Sequence, residues 1–192
     1  MSQESPPPRV IYLIRHGEKP DDHAERGIDI RGKENEHSLL PRGWQRSGAL
    51  AALFDPDQGP LRPGLHVPET LVSPSYGGKK DNARHRTHQT ISGISDRLGI
   101  EIAADFEKGE EPQLAGSLVS SGPGPVLVCW DHTHIPQIAS ALPVVDGTVI
   151  PEAWPEDRYD LIWTFTHAAD RRYEFSQLPQ LLLPGDAGTI IT

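Results

Sequence analysis

The stretch YLIRHGEKP, Tyr12–Pro20, sets an apolar run directly against Arg15, His16, Gly17, Glu18 and Lys19. Upstream it continues as RVIYLI (Arg9–Ile14), an unbroken apolar and β-branched run of strand length. Its lack of alternation predicts a strand covered on both faces. Residues that follow such a strand emerge at the edge of a sheet with little freedom. The chemistry of the chain therefore depends on which other strands end at the same edge.

Working outward, ETLVSP (Glu69–Pro74), IEIAADF (residues 100–106) and GPVLVCW (residues 124–130) read as three further strands. PRGWQRSGALAALF (Pro41–Phe54) opens with Pro, spaces Trp44, Leu50, Leu53 and Phe54 at roughly helical intervals and is stopped by DPDQGPLRPG, which predicts a helix. RHRTHQTISGISDRLG predicts a second helix from about Arg84 to Leu98, ended by Gly99. EEPQLAGSLVSS reads as a short helix and IPQIASAL (Ile135–Leu142) as another, while YDLIWTFTH and RRYEFSQL, separated by AAD, predict a closing β-hairpin. Residues 19–38 form a charged excursion with room for a short helical turn, and SYGGKKDNA reads as a mobile basic loop. Strands alternating with helices predict an α/β fold, a three-layer sandwich around a mainly parallel sheet of about six strands with an antiparallel hairpin at its C-terminal edge. The expected organisation is a single domain over 1–192, with residues 1–8 as a flexible lead-in.

Eighteen Lys and Arg against 27 Asp and Glu give a net charge of −9, which argues against a broad nucleic-acid footprint, so any anion must be met by a local cluster of cations. The single cysteine, Cys129, lies in an apolar run where a buried thiol is expected, and it can form no intrachain disulfide. The start MSQESPPP lacks a signal-peptide pattern and no apolar run reaches membrane-span length, so a cytoplasmic location without membrane association is expected.

In open α/β sheets ligands bind outside the carboxyl ends of the strands. The first strand exits into Arg15, His16, Gly17 and Glu18; the second into Ser73, Pro74, Ser75 and Tyr76, followed by Lys79, Lys80, Arg84 and Arg86; the third into Glu107–Glu111; the fourth into Asp131, His132, Thr133 and His134. Arginines beside histidines suit a tetrahedral oxyanion, because guanidinium offers fixed donors that match phosphate oxygens and keeps its charge. Imidazole can also act as a nucleophile that divides one displacement into two easier ones. Asp131, His132 and His134 could alternatively begin a metal site, although nearby arginines would oppose a divalent cation.

These segments carry a resemblance. RHGE after a first apolar strand resembles the signature of the histidine phosphatase superfamily, the phosphoglycerate-mutase-like family. LLPRGWQRSGALA resembles that family's next helix, RTHQT its arginine four residues before a helix threonine, and VLVCWDHTHIP its strand ending in a second histidine. The tail segments WPEDRYDLIWTF and LPQLLLPGD are similar to a small bacterial branch. The resemblance implies a phosphoglycerate-mutase-like fold and a phosphomonoesterase needing no metal or other cofactor, acting on a small phosphorylated substrate through a phosphohistidine. His16 would be the nucleophile; Arg15, His16, Arg86 and His132 would bind the phosphate. A carboxylate after the third strand would serve as acid: Glu111 is the first choice, with Glu110, Glu107 and Asp131 as alternatives. Three positions depart from the pattern, Asp22 for a phosphate-binding Asn, Thr133 for a Gly and Leu40 for a capping Thr or Ser. These departures keep open a non-catalytic phosphate-binding member of the same fold.

Overall fold

A computed structural model of the chain describes residues 6–20 and 26–192. Asp22 and the first five residues of the lead-in lie outside them. Pro7 and Pro8 are buried, and the Pro8 carbonyl accepts the Tyr173 hydroxyl at 3.3 Å.

Six strands form one sheet: β1 (Val10–Arg15), β2 (Thr70–Val72), β3 (Ile102–Ala103), β4 (Val126–Trp130), β5 (Leu161–His167) and β6 (Tyr173–Pro179), in the order β3-β2-β4-β1-β5-β6. The pairs β1–β4, β2–β4 and β2–β3 are parallel, and β1–β5 and β5–β6 are antiparallel. Helices α1 (Pro41–Phe54) and α3 (Arg86–Leu98) cover one face, and α4 (Glu111–Leu118) and α5 (Ile135–Ala141) the other; α2 (Lys79–Asn82) is a single turn. Among the described residues no helix is long and apolar enough to cross a membrane.

The continuous apolar run of β1 follows from this sandwich. Ile11 and Leu13 enter the core under α4 and α5, while Val10, Tyr12 and Ile14 enter the core under α1 and α3, all 0–1% exposed. Tyr12 tolerates burial because its hydroxyl donates to the Gly64 carbonyl at 3.1 Å and accepts the His66 amide at 2.9 Å. Cys129 lies beside Ile14 on the same face as a buried free thiol.

Helix α1 occupies the residues its sequence predicts. Pro41 stands in the first turn and the Leu40 amide donates to the Glu18 carbonyl at 2.9 Å, so the helix start is tied to the end of β1 without a side-chain cap. Helix α3 starts two residues later than predicted and is closed by Gly99 at a left-handed φ of 67°. Three local expectations change. The seven-residue third strand contracts to two residues, because its partner β2 ends at Val72 and Pro74 just beyond has no amide to continue the ladder; Ser73 and Ser75 still donate to the Ala103 and Phe106 carbonyls. The described part of residues 19–38 contains no helix and turns back through a bridge between Ile28 and Glu34. The segment read as a mobile loop contains the turn α2, whose Asn82 side chain is buried and accepts the Tyr76 amide at 2.7 Å.

Candidate active site

Strand β1 delivers Arg15 and His16 to the carboxyl edge between β4 and β5, and the His16 amide extends the ladder by donating to the Trp130 carbonyl at 3.0 Å. Arg15 is fully buried. Its Nη1 donates to the carbonyls of Pro155 and Arg158, each at 3.3 Å, and to that of Glu156; the Tyr159 ring packs 4.0 Å from the guanidinium carbon. Nε and Nη2 of Arg15 are buried with no acceptor among the described residues. A buried charged donor left unpaired is costly, on the order of 1–3 kcal/mol or more, and an anion would relieve that cost. Burial pulls the Arg15 guanidinium below its usual range, with Tyr159, Glu156 and Asp131 opposing that shift.

His16 is 5% exposed. Its Nδ1 lies 2.7 Å from the Gly17 carbonyl, which can only accept, so Nδ1 carries the proton and Nε2 keeps a free lone pair. Burial, and then the cations of Arg15 and Arg86, hold the imidazole well below its usual pKa. The ring is therefore neutral at neutral pH.

The turn after His16 is anchored by close backbone approach. The Gly17 amide donates to Thr90 Oγ1 at 2.8 Å, and the same hydroxyl donates to the Arg86 carbonyl at 2.7 Å. One threonine thus links the first turn of α3 to the loop after His16, which gives physical content to the spacing of Arg86 and Thr90. A Cβ on Gly17 would sit 3.1 Å from the Gly43 backbone, and one on Gly43 would sit 2.8 Å from the Glu18 carbonyl oxygen. Glu18 itself is buried and accepts from Arg46 Nη2 at 2.8 Å and Arg42 Nε at 3.0 Å, while Arg46 also reaches Asp186 at 2.7 Å.

Arg86, the first residue of α3, shares a cavity of about 190 Å³ with His16, His37, Tyr76, His85, Thr87 and Lys108. Its Nη1 donates to the Glu36 carbonyl at 3.1 Å. Burial lowers its guanidinium pKa, with Tyr76, Tyr159 and Asp131 pulling the other way. His132, at the end of β4, is half-buried, and its Nδ1 has no protein partner. Burial first, then Arg15 and Lys19, lower its pKa. His85 stacks on Tyr76 at 3.6 Å between ring centres and on His37 at 5.2 Å; burial and the neighbouring His37, Lys108 and Arg86 push it down to about 4. Of the remaining predicted cations, Lys79, Lys80 and Arg84 are exposed.

The carboxylates are placed otherwise than the sequence suggests. Glu111, the first choice as acid, is fully buried: it accepts the Trp130 indole N–H at 3.1 Å and the Gly109 amide at 3.0 and 3.1 Å, and does not line the cavity. Glu110 caps the Glu107 amide at 2.8 Å, and both side chains are exposed. Asp131 accepts from the Thr133 amide at 3.1 Å, from Thr133 Oγ1 at 2.5 Å and from His134 Nδ1 at 2.7 Å, and its other oxygen meets Lys108 Nζ at 2.9 Å. Burial would raise the Asp131 pKa, but these donors hold it well below the usual carboxylate range. Thr133 thus serves as a local lock on Asp131. Among the described residues no three His, Cys, Asp or Glu side chains are grouped to hold a metal ion, so Asp131, His132 and His134 do not form a ligand set.

No protein-family profile and no curated protein sequence matches the chain. Solved structures do. The chain superposes over 89% of its length on 97% of the protein histidine phosphatase SixA, solved with tungstate, at 16% identity and a TM-score of 0.55. It matches 95% of a mycobacterial glucosyl-3-phosphoglycerate phosphatase solved with inorganic phosphate over 88% of its own length, at 14% identity and a TM-score of 0.52. A phosphoserine phosphatase mutant from Entamoeba histolytica, solved with phosphoserine, is matched over 94% of its chain and 87% of this one, at 14% identity and a TM-score of 0.51. These neighbours belong to the histidine phosphatase superfamily. The likeness at these identities is one of fold: the chain has the phosphoglycerate-mutase-like α/β fold of that superfamily.

Proposed function

We propose that the protein is a metal-independent phosphatase that hydrolyses a small phosphomonoester through a phosphohistidine on His16. The observation that carries this reading is the pairing of a neutral, buried imidazole, its Nδ1 spent on Gly17, with the adjacent Arg15 whose Nε and Nη2 are buried without partners. Nε2 of His16 attacks phosphorus in line, the P–O bond to the leaving group breaks, and water then attacks phospho-His16 to release inorganic phosphate. Arg15, Arg86 and His132 stabilise the charge that develops on the three equatorial oxygens. The phosphatase activities named for SixA and the other two neighbours support the general reading as a phosphatase.

Glu111 takes a different part from the one its sequence position suggests. With both oxygens committed to Gly109 and Trp130, it positions the loop after β3. The leaving oxygen then draws its proton from water at the rim, since no carboxylate lines the cavity among the described residues. The Lys108 ammonium at 2.9 Å from Asp131 opposes a divalent cation there, which favours this mechanism over a metal-dependent hydrolase.

The test is turnover of p-nitrophenyl phosphate with and without EDTA, together with trapping of labelled phosphate on the protein by a quench into alkaline denaturant. Acid-labile, base-stable labelling that disappears in His16→Ala, chelator-insensitive turnover and inhibition by vanadate are expected. Turnover that persists in His16→Ala, or that EDTA abolishes and zinc restores, overturns the mechanism. Tight phosphate binding with no turnover on any ester would instead identify a non-catalytic phosphate-binding protein.

A further inference from the structure

The loop after β3 is built to hold one cation. Gly109 turns at a left-handed φ of 102°, its amide is clamped by both oxygens of the buried Glu111, and the Glu107 amide is capped by Glu110. Between these fixed points stands Lys108, whose Nζ lies 2.9 Å from Asp131 Oδ2 and 5.5 Å from the centre of the Tyr76 ring. Lys108 lines the cavity beside His16 and Arg86. Asp131 spends its other oxygen on Thr133 and His134, so it meets Lys108 through one atom; with the Tyr76 hydroxyl as a second partner, the ammonium keeps one of its three donors for a ligand. The scissile phosphate already has Arg15 and Arg86 for partners, and in a chain of net charge −9 a further ordered cation at this wall has a local purpose.

Resting on the phosphatase reading above and extending it to the substrate, we infer that Lys108 selects phosphomonoesters whose leaving group carries a second anionic group. A carboxylate or a second phosphate would serve, since either accepts from an ammonium. The stacked rings of Tyr76 and His85 form the wall beside it and lend the leaving group an apolar surface. Lys108 is on this view a specificity residue, Asp131 and Glu111 the groups that aim it.

The experiment compares phosphoglycolate and 1,3-propanediol bisphosphate with glycerol 3-phosphate, in the wild type and in Lys108→Met and Lys108→Arg. The quantity read is the ratio of kcat/KM for each doubly anionic ester to that for glycerol 3-phosphate. That ratio should fall about tenfold in Lys108→Met, the effect of one partly solvated charge pair, and be largely kept in Lys108→Arg. Raising the salt concentration should shrink it in the wild type. The bisphosphate and the carboxylate arms separate the two forms of second anion. A ratio in Lys108→Met within twofold of the wild-type value, or a wild-type preference for glycerol 3-phosphate, overturns the inference. Affinities of the same three esters for His16→Ala and for His16→Ala/Lys108→Met, measured by calorimetry, give the ratio without turnover. Failure of the phosphohistidine chemistry and failure of charge selection are thereby told apart.

Discussion

Arg46 offers the sharpest test of how the site is supported. Its guanidinium is 1% exposed and bridges two carboxylates distant in sequence: Glu18, in the loop after His16, at 2.8 Å, and Asp186, near the end of the chain, at 2.7 Å, with Gln180 Oε1 at 2.8 Å. Burial would raise the Asp186 carboxyl, but Arg46 and the Leu182 and Leu183 amides bring it to about 2 from an ordinary 3.8. A gap of nearly two pKa units corresponds to roughly 2 kcal/mol at neutral pH. Arg46→Met also removes one of the two arginines on Glu18, leaving it Arg42 Nε at 3.0 Å in a nearly dry site, so the total loss should be about 3 kcal/mol. For a chain of this size that lowers Tm by about 6–12 °C. The sign with pH is fixed by the depressed pKa: the Asp186 contribution is complete above pH 3.8 and is lost as pH falls through about 2. The gap between wild type and variant should thus be flat from pH 8 to 5 and narrow in stronger acid. Urea unfolding followed by tryptophan fluorescence measures it. Adding Glu18→Gln and Asp186→Asn to Arg46→Met should recover about half of the loss, because the stranded charges are then gone. A loss below about 1 kcal/mol at pH 7, or one that grows in acid, would refute the reasoning.

Three further outcomes follow from the same geometry. Because burial and two arginines hold His16 well below its usual 6.5, the acid limb of the kcat/KM profile should lie below pH 6.5 and activity should be constant between pH 7 and 8; a limb at or above 6.5 would show His16 to be solvated. Gly43→Ala places a methyl 2.8 Å from the Glu18 carbonyl oxygen and should cost about 1–3 kcal/mol by urea unfolding while lowering kcat, whereas Gly48→Ala, on open helix surface in α1, should be neutral or stabilising. With no carboxylic acid lining the cavity among the described residues, rates across a series of aryl and alkyl phosphates should fall steeply as the leaving group becomes more basic, and a flat dependence in single-turnover phosphorylation would reveal an acid outside them.

The parts of the site that the sequence discloses are those mounted on regular elements. An apolar run ending in Arg15 and His16 must release both at the sheet edge, and β4 does the same for Asp131 and His132. Arg86 is legible through Thr90, because a hydroxyl one helical turn on bonds back to the Arg86 carbonyl and accepts the Gly17 amide. Proximity to a strand end does not say which way a loop residue turns: the left-handed Gly109 stands between Lys108, on the cavity side, and Glu111, which turns toward Trp130. Gly109 was the available signal, a glycine between Lys108 and two glutamates. Tyr159 under Arg15, and the carbonyls of Pro155, Glu156 and Arg158 around it, leave no periodic trace, since they depend on how a loop distant in sequence folds over β1. The third strand is shorter than its alternation suggests because its partner β2 stops at Val72, just before Pro74.

The place of β1 in the sheet governs when the site can come into being. Ile11 pairs with Val126 on one side and with Phe165 on the other, so the strand that leads into Arg15 and His16 has no neighbour close in chain order. Loop-closure entropy over those spans must be met before either ladder forms, which places the assembly of β1 late and makes folding slow for a chain of this length. Arg15 and His16 thus precede nearly every helix in chain order yet reach their working geometry only after both distant strands have docked. Catalytic competence during refolding should therefore appear with the last cooperative phase, and helix formation alone will be a poor reporter of it.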